Sequence, residues 1–107
     1  ARRNIDAWLP LLESDAECLL VSASGCGAHL KDYPDLLDGD PDYADKARRV
    51  ADAARDPVEF LAEQPLERLP HGARAARIAV HTPCTLQHAL KLNGAVERLL
   101  QGLGYTL

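Results

Sequence analysis

The sequence predicts an α/β domain: a small parallel sheet whose strands are joined by helical crossovers. Two short apolar runs, CLLVSAS (18–24) and RIAVH (77–81), end in small or turn-forming residues, as buried strands do. The longer stretches between and after them carry apolar residues at helical spacing. The resulting order is helix, strand, helices, strand, helix, and strands separated by helices pair in parallel through right-handed crossovers.

Each element has its own signal. Asn4 is placed to cap a first helix, in which Ile5, Trp8, Leu9 and Leu12 form one apolar face. Pro10 deletes a hydrogen bond in a helix interior, so this helix is expected to begin later or to bend there. CLLVSAS follows as the first strand and leaves through GCGAHLKDY into a helix or turn. DPDYADKARRVADAARD is strongly helical, with Asp40 as cap, Pro41 in the first turn, and Tyr43, Ala47, Val50 and Ala54 on one face. Asp56-Pro57-Val58-Glu59 has the form of a capping box for a short helix ending before Pro65. PLERLPHGARAA (65–76) reads as a polar connector. After RIAVH a long helix is expected from Thr82 or Pro83 to about Leu100. Its stripe is Leu86, Ala89, Leu92, Val96, Leu99 and Leu103, and Gly102 or Gly104 supplies the stop. The final GYTL reads as the start of a third strand.

The chain's 107 residues suffice for one domain with a single core, and 47% apolar with 26% charged residues is ordinary globular composition. A formal charge of −4 argues against a nucleic-acid partner, because phosphate binding needs concentrated Lys and Arg and the basic pair Arg48-Arg49 lies among acids. No apolar run approaches the ~20 residues that span a bilayer, and ARRNIDAWLP lacks the apolar centre of a signal peptide. The expected location is cytoplasmic, at most peripheral on the inner face of the cell membrane. Three cysteines cannot all pair within the chain, which favours a reducing compartment and thiols or metal ligands. The absence of methionine and the unfinished strand at GYTL lead to the expectation of a fragment of something longer.

The chemistry concentrates where strands end. In SGCGAH, Cys26 lies between two glycines with His29 three residues later; in TPCTLQH, Cys84 opens a helix with His88 four residues later. The carboxyl ends of parallel strands carry sites in open sheets, and a helix start favours a thiolate. Either cysteine can bind metal or act as a nucleophile, and either can be a small residue at a tight turn. Cys18, at the start of the first strand, reads as filler. If CLLVSAS and RIAVH are neighbours, Cys26 and Cys84 leave the sheet at one edge. A structural zinc site of Cys26, His29, Cys84 and His88 is then one reading, and a redox pair of Cys26 and Cys84 another. There is no glycine-rich phosphate loop, no Gly-x-Ser-x-Gly elbow and no catalytic carboxylate pair.

SASGCGAHLKDY, YADKARRVADAARDPVEFL and above all HTPCTLQHALKLNGAVERLLQGLGY resemble the family of glycolate oxidase iron–sulfur subunits. That family belongs to a wider group with cysteine-rich CCG repeats, shared with heterodisulfide reductase and with lactate and glycerol-3-phosphate oxidising systems. The resemblance covers nearly the whole chain. In that family each repeat supplies a lone cysteine after a strand, an adjacent cysteine pair, and a terminal Cys-x-x-Cys. By resemblance Cys84 matches the lone cysteine of the second repeat and Cys26 the last cysteine of the first. The end of the first repeat would then occupy about 1–70 and the start of the second about 71–107.

The resemblance implies an electron-transfer subunit that takes electrons from a flavin-containing glycolate oxidase partner and passes them through [4Fe–4S]-type centres towards quinone. Ala23 stands where the other member of Cys-x-x-Cys belongs, and no adjacent cysteine pair is present. A cluster needs about four thiolates, so none is expected in this piece alone. A half repeat also leaves a sheet edge and a Leu-rich helix stripe without cover, so the piece is expected to self-associate.

Overall fold

The computed structural model describes residues 1–68 and 77–107. The chain forms two compact units, Ala1–Asp56 and Pro57–Leu107. The repeat junction expected near residue 70, and most of the polar connector, lie outside the described residues.

In the first unit, helix α1 spans Arg2–Ser14. It presents the face read from its spacing: Ile5 and Leu9 are buried, with Trp8 and Leu12 packed beside them. Asn4 is not the cap, because the helix already starts at Arg2 and the Ile5 amide bonds the Ala1 carbonyl at 3.0 Å. Its side chain instead donates to the Tyr33 hydroxyl at 3.0 Å. Pro10 sits inside the helix on an exposed position. The carbonyl it leaves without an intrahelical donor therefore lies on the solvent side, where water can replace the bond.

Strand β1, Leu19–Leu20, leads into α2 (Ser24–Lys31), α3 (Tyr33–Leu36) and α4 (Ala44–Ala53), and these form the crossover to β2, Ala54–Arg55. The strands are parallel, with Leu19 opposite Ala54 and Leu20 opposite Arg55, and the Val21 amide extends the ladder to the Arg55 carbonyl at 2.9 Å. The fold is thus a small, mostly helical α/β arrangement with a two-stranded parallel sheet and a helical crossover.

The partner of the first strand is a correction to the sequence reading. Among the described residues its partner is a two-residue strand hidden at the end of an alanine-rich helix. Ala54 leaves α4 with extended angles, φ −73° and ψ 135°, and Pro57 disfavours the helical region at Asp56. Lys31 Nζ secures the exit by donating to the carbonyls of Ala51 and Ala54 at 2.9 and 3.0 Å. A cation at a helix C-terminus meets both the free carbonyls and the dipole. Ala47 and Val50, both fully buried, join Ile5, Leu9, Leu30, Tyr33 and Ala54 in the core. Asp40 works one turn ahead of α4, its Oδ1 accepting from the amides of Asp42 and Tyr43 at 2.9 and 3.1 Å.

The second unit contains α5 (Pro57–Ala62), a 3₁₀ turn (Leu66–Arg68), a π-helical turn (Thr85–Ala89) and α6 (Ala95–Gly102). α5 and α6 pack on one another. RIAVH contributes a single parallel bridge, Arg77 to Thr106, supported by the Ile78 amide on the Thr106 carbonyl at 2.9 Å. The expected strand at GYTL is the other half of that bridge.

The long helix expected from residue 82 or 83 is two pieces. The Leu90 amide bonds the Thr85 carbonyl at 3.0 Å, closing the wide turn, and Lys91 then takes φ 56° and Gly94 φ 74°. Left-handed residues end a right-handed helix, and Asn93-Gly94 is a sequence built for that break. Of the predicted stripe, Leu86 and Leu99 are buried, whereas Ala89 is exposed. Gly104, with φ 94°, is the stop; the Tyr105 amide reaches back to the Leu100 carbonyl at 3.0 Å. Among the described residues no helix is long and apolar enough to cross a membrane.

Candidate functional site

Cys26 lies in the first turn of α2, six residues after β1 ends. Ala23 precedes the helix with extended angles and its carbonyl accepts the Gly27 amide at 2.9 Å. Gly27 and Leu30 face the core, and Cys26 is exposed. The thiol lines a cavity of about 540 Å³ together with Trp8, Val21, His29, Leu30 and Tyr33. His29 meets the Tyr33 ring edge-on, with centroids 5.6 Å apart and planes at 88°. Cys26 and His29, one helical turn apart in sequence, therefore share one concave surface.

Cys84 has helical angles, φ −58° and ψ −38°, immediately before the π-helical turn, and is exposed. The turn is tightly bonded. The Pro83 carbonyl accepts the amides of Leu86 and Gln87, each at 3.1 Å, and the Gln87 side chain donates to the Thr82 carbonyl at 2.7 Å. Thr82 is buried, and its hydroxyl donates to Glu97 Oε1 on α6 at 3.3 Å. Glu97 Oε2 is buried without a hydrogen-bond partner among the described residues. His88, in the last part of the turn, is exposed. Cys18 is half-buried ahead of β1.

The two thiol turns belong to different units, Cys26 and His29 to the first, Cys84 and His88 to the second. Within the units, β1 pairs with Ala54–Arg55 and Arg77 with Thr106. Within each unit, among the described residues, no three His, Cys, Asp or Glu side chains are grouped to hold a metal. Exposed thiols at helix starts are suitable donors to iron. Two of them fall short of the about four thiolates that a cluster takes, so no step of chemistry follows from this chain by itself.

Sequence reasoning missed the Thr82–Gln87–Glu97 network. A glutamate in GAVERLL reads as a solvated helix position, and nothing in its spacing points back to Thr82, 15 residues away.

The glycolate oxidase iron–sulfur subunit of Escherichia coli K12 is 56% identical over 108 residues, covering 100% of this chain and 26% of that protein. The resemblance holds along the whole chain. A probable glycolate oxidase iron–sulfur subunit of Bacillus subtilis is 24% identical over 104 residues, covering 96% of the chain and 23% of that protein. Lactate utilization protein A of Geobacillus kaustophilus is 28% identical over 88 residues, covering 82% and 37%. The chain thus spans about a quarter of the glycolate oxidase relatives and little more than a third of the lactate utilization relative. No family model and no solved structure matches it.

Proposed function

We propose that this chain is part of an iron–sulfur electron-transfer subunit of a glycolate oxidase, in which Cys26 and Cys84 each contribute a thiolate to [4Fe–4S]-type centres. The observation that carries the reading is the 56% identity along the entire chain to a glycolate oxidase iron–sulfur subunit. Both cysteines being exposed at helix starts supports it. The remaining thiolates come from outside these 107 residues. In the whole protein, a flavin-containing partner oxidises glycolate to glyoxylate and hands over the electrons, which leave towards quinone from a cytoplasmic or membrane-peripheral complex. When bound, the clusters supply the electron carriers; the protein supplies position and a polar or apolar surround.

The test uses the complete complex. Cys84→Ser should lower quinone-linked glycolate oxidation while leaving the flavin partner's reaction with an artificial dye intact, and Cys18→Ser should change neither. Full quinone-linked turnover in Cys84→Ser contradicts the assignment.

A zinc site that takes Cys26 and His29, which line one cavity of the first unit, is the second reading. It is colourless and redox-silent where iron–sulfur centres absorb visible light. Metal analysis of anaerobically prepared protein separates the two.

A further inference from the structure

Glu97 is a charged side chain that the proposed function leaves unused. It sits on α6 between Ala95 and Leu99, both buried, and its Oε2 is buried with no hydrogen-bond partner among the described residues. A buried carboxylate oxygen without a donor is costly, and a leucine here would pack at no such cost. The other oxygen explains the residue. Oε1 accepts from Thr82 Oγ1 at 3.3 Å, and Thr82 is only 6% exposed.

Thr82 is tied in two directions. Its hydroxyl is held to α6, and its carbonyl takes the Gln87 side chain at 2.7 Å, across the turn that carries Cys84. Pro83 between them has a fixed φ, and its own carbonyl takes two amides of the turn. Cys84 is therefore presented from a closed loop that the Thr82–Glu97 bond ties to α6, on the side of the turn that precedes the thiol, while buried Leu86 holds the side that follows it.

We infer that Glu97 is a positioning residue for the Cys84 thiol, fixing through Thr82 the direction in which the turn presents it. The inference rests on the proposed function only for the use made of the thiol.

The experiment places a nitroxide on Cys84 in the chain carrying Cys18→Ser and Cys26→Ser, and reads label mobility by electron spin resonance. Thr82→Val keeps the side-chain shape and deletes the hydroxyl; Glu97→Leu deletes the acceptor. Each should raise the ratio of mobile to immobile label by about fivefold, the order expected for losing one side-chain hydrogen bond. Thr82→Ser and Glu97→Gln retain a donor and an acceptor and should stay close to the parent. The double variant Thr82→Val with Glu97→Leu should exceed neither single, because both remove the same bond. Helical circular dichroism checks folding, and if Glu97→Leu unfolds, the Thr82→Val and Thr82→Ser pair decides alone. Parent-like mobility in a folded Thr82→Val, or additive effects in a folded double variant, overturns the inference. In the longer subunit, unchanged iron in a Glu97→Leu variant whose label is mobile would leave the positioning intact and count against Cys84 as a ligand.

Discussion

Asp40 takes its character from its neighbours. Its carboxylate accepts the Asp42 and Tyr43 amides at 2.9 and 3.1 Å and the Arg2 guanidinium at 2.6 Å. The Asp42 amide first, then Arg2, hold the carboxyl below the usual carboxylate range. Because the folded value lies below the unfolded one of about 3.9, its contribution to stability is complete above that pH. It is lost as the pH falls through the folded value. Asp40→Asn should therefore flatten the acid limb of stability, measured as urea midpoints from about pH 5 downward; an unchanged limb would contradict this account. Ile5→Ala, at a fully buried position, should cost about 2–5 kcal/mol in the same unfolding experiment. Ile5, Leu9, Ala47 and Val50 were legible in the sequence because apolar residues at helical spacing have one packing solution. Glu97 was not, because its partner Thr82 lies on a loop whose path no periodicity encodes.

The elements show where pattern and backbone part. The spacing of α1 and α4 was right because burial on one face decides both. The single helix expected from residue 82 or 83 failed at Lys91 and Gly94, where left-handed angles overrule a continuing apolar stripe. Gly94→Ala should cost about 1–2 kcal/mol, the strain of an L residue with positive φ. The Arg98 guanidinium that a Cβ would meet at 2.9 Å is the end of a flexible chain and can move aside. Chemical unfolding measures it, and a neutral result would place the chain break elsewhere. β2 stayed invisible because two residues carry no alternation, and Lys31 holds the Ala51 and Ala54 carbonyls where the chain leaves α4 for it. Lys31→Met, which keeps the aliphatic stem and removes the donors, should speed hydrogen exchange at the Val21 amide, whose acceptor is the Arg55 carbonyl. Unchanged exchange would show that the strand exit does not depend on the lysine.

At the scale of the whole chain, two compact units each carry one exposed thiol. The α/β class was readable from the order of elements, and the resemblance from strings such as CTLQH, which also set Cys26 and Cys84 in different repeats; the partner of the first strand was not, since a two-residue strand leaves no pattern. The chain also exposes Leu11, Leu20 and Leu36 at 58%, 52% and 58%, and β1 has a partner on one edge alone among the described residues. Edges and apolar side chains left open seek cover, so the 107-residue chain should form a dimer, and light scattering giving a monomer at micromolar concentration would contradict that. The central claim, that Cys26 and Cys84 are thiolate ligands of an iron–sulfur subunit, is tested most directly by iron per protein in the anaerobically purified full-length subunit. The account predicts that Cys26→Ser and Cys84→Ser each lose iron and visible absorbance while Cys18→Ser keeps both; full iron in the Cys26 and Cys84 variants would contradict it.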